Sequence, residues 1–448
     1  MNNLFADPEG SYVLLVNGDG RRSAWPASAP LPPGWRSSDE SDALPERGCP
    51  AAGPPDPVPY PFRDYHRLDV DPVYAELRAD RPVLRIRPPY GDDAWLVTRY
   101  DDVKTVLGDP RFSRALTAHN DESRLTPRPV NTSILGTDPP DHTRLRRLLA
   151  RAFTARRAEL LRPGVRAFTA TLIDEMTKRG APADLVEDFA LPLTALVICE
   201  LLGVPYADRP AFRVWLDAFS STTALSVEQI NSRTEALYAY IDGLVAQRRS
   251  DPAGDLISAL VDAHDETAGI TGQELVELVS VLLIAGYETT SAQLANSVLV
   301  LFTHPHAHEA LRADPGLLPG AVEELIRFVP LDAHVAFGRY AREDVELSGV
   351  RIRAGEAVLP VLPSANRDPS TFPRPDELDL CRGRNPHLGF GYGIHRCIGA
   401  PLAKVVLEEG LGGLLARFPG LSPAVPPEEM VFKEGVQVRI LQTLPVTW

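Results

Sequence analysis

The chain of 448 residues has few cysteines, no excess of basic residues and no long apolar run, and each shortage excludes a class of protein. Its net charge of −14 argues against a nucleic-acid binder, which needs a basic surface. The four cysteines, Cys49, Cys199, Cys381 and Cys397, form no CxxC pair, so neither a zinc site nor a disulfide framework is indicated. Because free cysteines suit a reducing compartment, we expect a cytoplasmic protein.

The sequence also lacks the signals of membrane proteins. The first residues contain no basic stretch followed by a long apolar one, so we expect no signal peptide. No run of about 18 uninterrupted apolar residues is present. The apolar segment 276–285 is interrupted by Glu277 and Ser280. We therefore expect no association with a membrane.

The most informative stretch is 390–399, Phe-Gly-Tyr-Gly-Ile-His-Arg-Cys-Ile-Gly. Gly391, Gly393 and Gly399 permit positive φ angles and a close approach of the backbone to a bulky group. Cys397 lies just before residues 400–408, which have the pattern of a helix with a proline in the first turn. Amide donors and the helix dipole at that position favour a thiolate. A thiolate on a glycine-lined loop suits a single ligand to a flat metal cofactor.

This stretch matches Phe-Gly-x-Gly-x-x-x-Cys-x-Gly residue by residue, and it resembles the haem-binding signature of the cytochrome P450 family. The resemblance implies a mainly α fold with small β-sheets, the cofactor haem b, and iron bound by Cys397. It also implies that Phe390, Gly391, His395 and Gly399 contribute to the haem site. The alternative is an ordinary buried cysteine behind a glycine turn.

A second match lies in the longest apolar-periodic segment, 273–302. It contains Ala285-Gly286-Tyr287-Glu288-Thr289, and an acid followed by a hydroxyl is costly to bury in such a helix. The stretch resembles the family's oxygen-activation motif, Ala-Gly-x-acid-Thr. The resemblance implies that Thr289 acts in oxygen activation and that Glu288 helps relay protons. It further implies that Ala285 and Gly286 lie at the haem, with Gly286 letting the helix approach the ring. The alternative is a buried threonine beside a surface acid.

Four further residues match positions at which the family binds the haem propionates. His142 and Arg146 are spaced i,i+4 and so share one helix face, which could also be an ordinary solvated basic face. Arg339 and His395 match the other two positions. We also expect Asp138 to be the N-cap of the helix that carries His142.

The remaining expectations concern organisation. Glu324 and Arg327 match the family's Glu-x-x-Arg pair, a scaffold for the haem loop that Arg382 completes. Residues 155–275 have a helical pattern broken at Gly180, Gly203 and 251–252. In the family, helices within 208–235 form a lid over the distal pocket, and the loop 111–137 helps define the substrate. Residues 436–440 have the pattern of a final strand.

Residues 1–37 differ from the rest. Tyr12-Val13-Leu14-Leu15-Val16 and Arg22-Ser23-Ala24-Trp25-Pro26 flank the turn signal Asn17-Gly18-Asp19-Gly20, which predicts a hairpin. The segment resembles the N-terminal half of MbtH-like proteins, small partners of adenylation domains in nonribosomal peptide synthetases. The helix that ends that family's pattern is missing. We therefore predict three parts: a truncated MbtH-like segment at 1–37, a linker at 38–59, and a haem domain at 60–448.

Together these resemblances imply an O₂-dependent monooxygenase that tailors an amino acid or a carrier-bound or peptide substrate in nonribosomal peptide biosynthesis. The reaction could be hydroxylation, epoxidation, aromatic coupling, or nitration of a tyrosine ring with nitric oxide, as in rufomycin-type members. Electrons must come from outside the chain, because no flavin or nicotinamide fingerprint is visible. We expect a ferredoxin and a ferredoxin reductase to supply them. We expect a docking patch made of these basic residues: Arg144, Arg147, Arg151, Arg396 and Lys404.

Three alternatives to this function remain open. The chain could hydroxylate a polyketide, a terpenoid or another small molecule. It could be a haem-binding sensor without turnover, although the Glu288-Thr289 pair argues against this. It could also act through residues 1–37 as a binding partner of an adenylation domain.

Overall fold

The computed structural model describes residues 55–63, 65–129, 133–267, 269–332 and 337–448, together with the backbone of three strands within the first 37 residues. The chain divides into two units, Met1–Pro55 and Asp56–Trp448. Residues 18–20 of the predicted turn at 17–20, and residues 38–54 of the predicted linker, lie outside the described residues. The three-part division at residues 37 and 59 stays a prediction.

The first unit contains an antiparallel sheet of order β2-β1-β3, formed by Tyr12–Asn17 (β1), Arg22–Pro26 (β2) and Trp35–Ser37 (β3). Tyr12 pairs with Pro26 and Val16 pairs with Arg22, so the predicted hairpin is confirmed. The third strand pairs with the other edge of β1, with Leu15 opposite Ser37 and Asn17 opposite Trp35.

The second unit is mainly helical, as predicted, and carries small sheets. Its described helices are Val73–Asp80 (α1), Tyr100–Gly108 (α2), Asp141–Ala150 (α3), Ala155–Arg179 (α4), Leu191–Leu202 (α5), Arg209–Ser220 (α6), Val227–Ser250 (α7), Leu256–Thr267 (α8), Gly272–Thr303 (α9), Pro305–Ala313 (α10), Leu318–Phe328 (α11), Leu362–Ala365 (α12) and Ala400–Arg417 (α13). The predicted helix breaks at Gly180 and Gly203 are confirmed, because both residues end helices with positive φ.

The strands of this unit are short. They are Val58–Pro59 (β4), Val83–Arg87 (β5), Ala94–Val97 (β6), Phe112–Ser113 (β7), Ala183–Asp184 (β8), Arg339–Ala341 (β9), Val345–Leu347 (β10), Val350–Ile352 (β11), Ala357–Pro360 (β12), Ser422–Pro423 (β13) and Pro445–Thr447 (β14). They form sheets of order β4-β5-β6-β12-β9-β7, β10-β11 and β13-β14-β8. The six-stranded sheet places Arg339, on β9, next to the loop that follows β7.

The predicted strand at 436–440 is wrong. Val436 bridges to Ser221 and Val438 bridges to Asp332, so the segment pairs with two different parts of the chain in turn. Because the pairing partner changes along the segment, no continuous β-ladder forms there. The last strand is β14, nearer the C-terminus.

The prediction that Asp138 caps α3 is also wrong. The N-cap position is Pro140, and no side chain caps the helix. The carboxylate of Asp138 instead accepts hydrogen bonds from the Arg114 backbone N–H (3.0 Å) and from the Ser113 hydroxyl and the Arg342 guanidinium. Asp138 therefore joins β7 to the sheet region after β9, which orders the loop that leads into α3.

Helix α9 crosses the core and carries the predicted oxygen-activation residues. Thr271 and Glu274 form a capping box at its N-terminus, which explains why the helix begins there. By length and composition alone it could span a membrane, with a mean hydropathy of 1.3 over its most apolar window, of which 61% is buried in the protein. Buried core helices of soluble proteins pass the same test.

A buried ion network ties α11 to the segment before the cysteine loop. Glu324 bonds Arg327 on its own helix (2.7 Å) and Arg382 beyond the sheet region (3.0 Å), and its side chain is 1% exposed. The Asp379 backbone N–H also donates to Glu324 (2.9 Å). Arg327 in turn donates to the Pro375 carbonyl (2.7 Å). The prediction that Arg382 completes the Glu-x-x-Arg network is therefore confirmed.

We expect Glu324→Ala to lower the free energy of unfolding by about 3–5 kcal/mol, because it leaves two buried guanidinium groups without their counter-charge. Urea unfolding at neutral pH measures this loss. Glu346→Ala is the matched control, because Glu346 is exposed on β10. Equal stability of the two variants would show that the network does not hold this region together.

Candidate active site

The backbone of the cysteine loop is held by short hydrogen bonds. The Cys397 N–H donates to the Phe390 carbonyl (2.8 Å), and the Gly391 N–H donates to the Leu388 carbonyl (2.8 Å). Gly393 has a φ of +72°, and a Cβ atom there would lie 2.4 Å from the Leu107 carbonyl oxygen of α2. Glycine is therefore required at this position for the loop to pack on α2.

The two other predicted loop glycines differ from each other. Gly391 has a φ of +68°, as expected. Gly399 has a φ of −78° and sits at the N-cap of α13, so glycine is not needed there for a positive φ. A Cβ at Gly399 would lie 3.9 Å from the Cys397 sulfur, which places this residue beside the thiol.

The Cys397 thiol lies before the N-terminus of α13, as the sequence predicted. The side chain is solvent-accessible although protein atoms surround it, so it faces a space inside the fold rather than the outer surface. Burial raises the pKa of the thiol, and the backbone N–H groups of Gly399 and Ala400 and the charge of Arg146 only partly oppose this. The donors predicted to favour a thiolate are present, but they do not outweigh burial. Metal binding would itself favour the thiolate, because a cysteine ligand must be deprotonated.

Two imidazoles and a guanidinium converge beside this loop. The rings of His142 and His395 are 4.4 Å apart, and neither Nε2 atom has a hydrogen-bond partner although both are buried. Arg339 is 4% exposed and donates one long hydrogen bond, to the Phe337 carbonyl (3.2 Å). Burial and the neighbouring positive groups lower the pKa of His395 to about 3 and that of Arg339 to about 9.

Such a cluster is costly unless an anion neutralises it. Arg114, which the sequence analysis did not single out, adds to the local positive charge but bonds Glu122 (2.8 Å). A charged residue in a loop is usually exposed, so nothing in the sequence indicated that Arg114 would be buried. The unpartnered donors of the cluster fit the two propionate carboxylates of haem b.

Arg146 takes a different position from His142. Its guanidinium donates to the Arg396 carbonyl (2.6 Å), so it links α3 to the residue before Cys397. Its positive charge lowers the pKa of the Cys397 thiol. Phe390 packs partly buried against the main core at the other end of the loop.

On α9 the predicted residues divide between two faces. Ala285 is exposed, and the Thr289 hydroxyl next to it donates to the Ala285 carbonyl (2.5 Å). Gly286 lies on another face, where a Cβ atom would be 2.7 Å from Ile198 Cδ1. Glycine at 286 therefore leaves room for the Ile198 side chain of α5, and the approach of Gly286 to the haem ring stays a prediction.

Glu288 is 8% exposed and borders a cavity of about 20 Å³ on the α6 side of α9. Burial raises the pKa of its carboxyl to about 7, with Lys433 opposing and Asp217 adding to the rise. The Ser220 hydroxyl also lowers the pKa but makes no hydrogen bond of normal geometry with the carboxyl. Lys433 and Asp217 were not anticipated, because both are far from Glu288 in the sequence.

Of the five residues in the predicted basic patch, two are neutralised by acids. Arg144 bonds Glu274 (2.5 Å) and Lys404 bonds Glu323 (2.7 Å). The remaining three are exposed: Arg147, Arg151 and Arg396. The exposed basic surface is therefore smaller than the sequence predicted.

We expect the raised pKa of Glu288 to make stability depend on pH. The folded-state pKa, about 7, lies above the ordinary value of 4.5, so the stabilisation is complete below pH 4.5 and is lost as pH rises through 7. Between pH 5.5 and pH 8 this loss is about 2 kcal/mol. Urea unfolding of wild type and Glu288→Gln at both pH values measures it. A pH dependence that is the same in the two proteins would refute the assignment.

Comparisons with known proteins agree with this geometry. The sequence model described as Cytochrome P450 matches residues 210–315 and 316–443, and that of MbtH-like protein matches residues 1–45. Mycinamicin IV hydroxylase/epoxidase of Micromonospora griseorubida is 49% identical over 88% of this chain and 99% of its own length. Nocardicin C N-oxygenase of Nocardia uniformis subsp. tsuyamanensis is 50% identical over 87% of this chain and 98% of its own length.

Solved structures agree as well. The crystal structure of HinD with NMFT and NO is 57% identical, with a TM-score of 0.87 over 88% of this chain and 100% of that chain. Relatives named as a hydroxylase and an oxygenase exclude the alternative of a haem sensor without turnover. The chain therefore belongs to the cytochrome P450 family, as a haem b monooxygenase of secondary metabolism that uses O₂ and external redox partners.

Proposed function

We propose that this enzyme oxidises an amino acid, free, carrier-bound or within a peptide, in nonribosomal peptide biosynthesis. The observation that carries this proposal is the match of residues 1–45 to MbtH-like proteins, which serve adenylation domains of peptide synthetases. The finer proposal is nitration of a tyrosine ring with nitric oxide and O₂. It is supported by the 57% identity to HinD, whose crystal structure contains NO.

A second candidate is hydroxylation or epoxidation of a polyketide. It is favoured by the 49% identity to mycinamicin IV hydroxylase/epoxidase over almost the whole of that enzyme. The two candidates differ in what the distal pocket must accept, an aromatic amino acid or a macrolide.

We assign the sulfur of Cys397 as the ligand of the haem iron. His142, Arg339 and His395 would hold the propionates, since their buried donors require anionic partners. Arg146 would act through the Arg396 carbonyl and its charge near the sulfur. When bound through a thiolate, haem b supplies an iron centre at which dioxygen is reduced and its O–O bond cleaved.

Thr289 and Glu288 are proposed to move protons toward that centre. While the Thr289 hydroxyl donates to the Ala285 carbonyl, its oxygen can still accept a hydrogen bond from the exposed side of the helix. Glu288 has a pKa of about 7, so its carboxyl can both hold and release a proton near neutral pH. The two side chains lie on different faces of α9, so transfer between them needs water or side-chain motion.

We expect two substitutions to separate ligand from relay. Cys397→Ala should abolish the thiolate-type Soret band of the ferrous–CO protein. Thr289→Ala should keep that band but raise the share of reducing equivalents lost as peroxide by roughly 10-fold, because a group that passes protons to the centre is lost. Each variant is the control for the other. A thiolate-type band in Cys397→Ala would refute the ligand assignment, and unchanged coupling would remove Thr289 from the relay.

The substrate proposal is tested by spectral titration of the ferric enzyme. We expect a low-to-high-spin shift with tyrosine, tyrosine loaded on a carrier domain or a tyrosine peptide. Phenylalanine in the same form is the matched control, since it lacks only the ring hydroxyl. A shift with mycinamicin IV and with none of the tyrosine forms would favour the polyketide candidate. Formation of 3-nitrotyrosine only when an NO donor is added would support nitration over hydroxylation.

We also propose that an acidic ferredoxin docks on the exposed residues Arg147, Arg151 and Arg396. Arg146, which adjoins Arg147 on α3, contacts the Arg396 carbonyl, so these residues border the cysteine loop. On a chain of net charge −14, a local basic surface steers an acidic partner to one place. We also propose that the enzyme works in the cytoplasm and binds neither a membrane nor nucleic acid.

We expect Arg147→Glu to slow reduction by ferredoxin several-fold at low ionic strength and to lose this effect in high salt. Stopped-flow reduction measures the rates. Lys178→Glu is the matched control, since Lys178 lies near the far end of α4, a helix of 25 residues or about 37 Å. Equal slowing by the two variants would mean that only net charge matters and that this surface is not the dock.

A further inference from the structure

The cavity beside Glu288 contains a second set of charged groups that the proposed relay does not use. Lys433 lies in the C-terminal segment and its Nζ contacts Asp217 Oδ1 of α6 at 3.2 Å. Both side chains line the cavity together with Glu288 and Arg213. Arg213 is already paired, since its guanidinium bonds Glu187 (2.7 Å). Lys433 is therefore the cation best placed to act on the Glu288 carboxyl.

The backbone on either side of Lys433 is anchored. The Lys433 N–H donates to the Ile440 carbonyl (2.8 Å), and its own carbonyl accepts from the Tyr65 hydroxyl (2.5 Å). The main chain of Lys433 is thus held, while its side chain reaches α6. The side chain is 28% exposed, so the ion pair connects the cavity to solvent.

The residues after Lys433 are hydrogen-bonded to the loop between α6 and α7, and we call this contact the Gly435 clasp. The Gly435 carbonyl accepts from the Thr222 N–H (2.7 Å), and the Gln437 N–H donates to the Ser220 carbonyl (2.7 Å). Gly435 has a φ of +67°, and a Cβ there would lie 2.6 Å from Thr223 Oγ1 and 2.7 Å from the Ala224 nitrogen. Only glycine lets the two segments approach this closely.

We propose that Lys433 is a positioning residue for the Glu288 carboxyl, and that the Gly435 clasp on the α6–α7 loop holds it in place. The inference rests on the proposed role of Glu288 in the relay. Three contacts carry it: the Lys433–Asp217 pair, the shared cavity and the Gly435 clasp. The clasp would in this way fix where the positive charge of Lys433 lies relative to the proton donor.

The direction of each effect follows from the groups that face Glu288. Lys433 favours the ionised form of the Glu288 carboxyl, and Asp217 disfavours it. The charge of Arg213 is balanced by Glu187. The Tyr287 hydroxyl stays protonated because its pKa is raised to about 12. Removing Lys433 should raise the pKa of Glu288. Removing the charge of Asp217 should lower it, because Lys433 then has one anion fewer to neutralise.

The test is an infrared pH titration of the protonated Glu288 carboxyl in the ferric holoenzyme, with the band assigned by subtraction of Glu288→Gln. We expect the midpoint to rise by about one pH unit in Lys433→Met, to fall in Asp217→Asn and to stay unchanged in Lys433→Arg. Lys178→Met, on the exposed end of α4, is the control for loss of a positive charge elsewhere. No shift, or shifts in the same direction for both Lys433→Met and Asp217→Asn, would overturn the inference.

The part of the inference that concerns the Gly435 clasp has its own variant. Gly435→Ala should speed hydrogen exchange of the Thr222 and Ala224 amides and raise the Glu288 midpoint as Lys433→Met does. Faster exchange with an unchanged midpoint would refute the link between the clasp and the Glu288 carboxyl. A separate measurement tests the proposed relay. If Glu288→Gln couples electron use to product formation as the wild type does, the relay is refuted. The infrared midpoints do not depend on turnover, so they test the inference independently.

Discussion

The buried carboxylate of Glu324 is the interaction on which the cysteine loop depends. It accepts from guanidinium groups on two separate segments, Arg327 and Arg382, and also from the Asp379 backbone N–H. Because all three donors are buried or nearly so, each needs this one acceptor, and the segments that bring them cannot move independently. The chain from 373 to 388 is thereby fixed to α11, and the loop that follows begins from a rigid position.

Two groups of buried polar and charged residues near the cysteine loop and α9 suit the chemistry of the family. Buried polar groups with few hydrogen-bond partners lie together at His142, His395 and Arg339, where an anionic cofactor edge would bond them and balance the charge of Arg339. A second cluster lies on α9, where the Glu288 carboxyl, with a raised pKa, borders the same cavity as Lys433 and Asp217. The region that needs negative charge and the region that can hold a proton are therefore built from different residues.

The two units of the chain contribute different kinds of information about function. The larger unit determines the enzyme class, since a thiol loop, a propionate-type cluster and an acid–hydroxyl pair occur together in it. The smaller one, with its MbtH-like match, is what favours a peptide substrate over a polyketide. The overall similarity to relatives named for different substrates shows that the fold does not decide the substrate.

The sequence by itself determined the features that depend on local spacing. The glycine pattern around Cys397, the i,i+4 pair His142 and Arg146, and the helix breaks at Gly180 and Gly203 are all consequences of near neighbours in the chain. The tertiary structure alone decided the rest. Lys433 and Asp217 come from segments remote from Glu288 in the sequence. Arg114 is buried although its local sequence does not predict burial. At Cys397, burial raises the pKa of the thiol more than the nearby backbone N–H groups lower it. Burial and charge pairing are set by which segments pack together, and no local pattern records that.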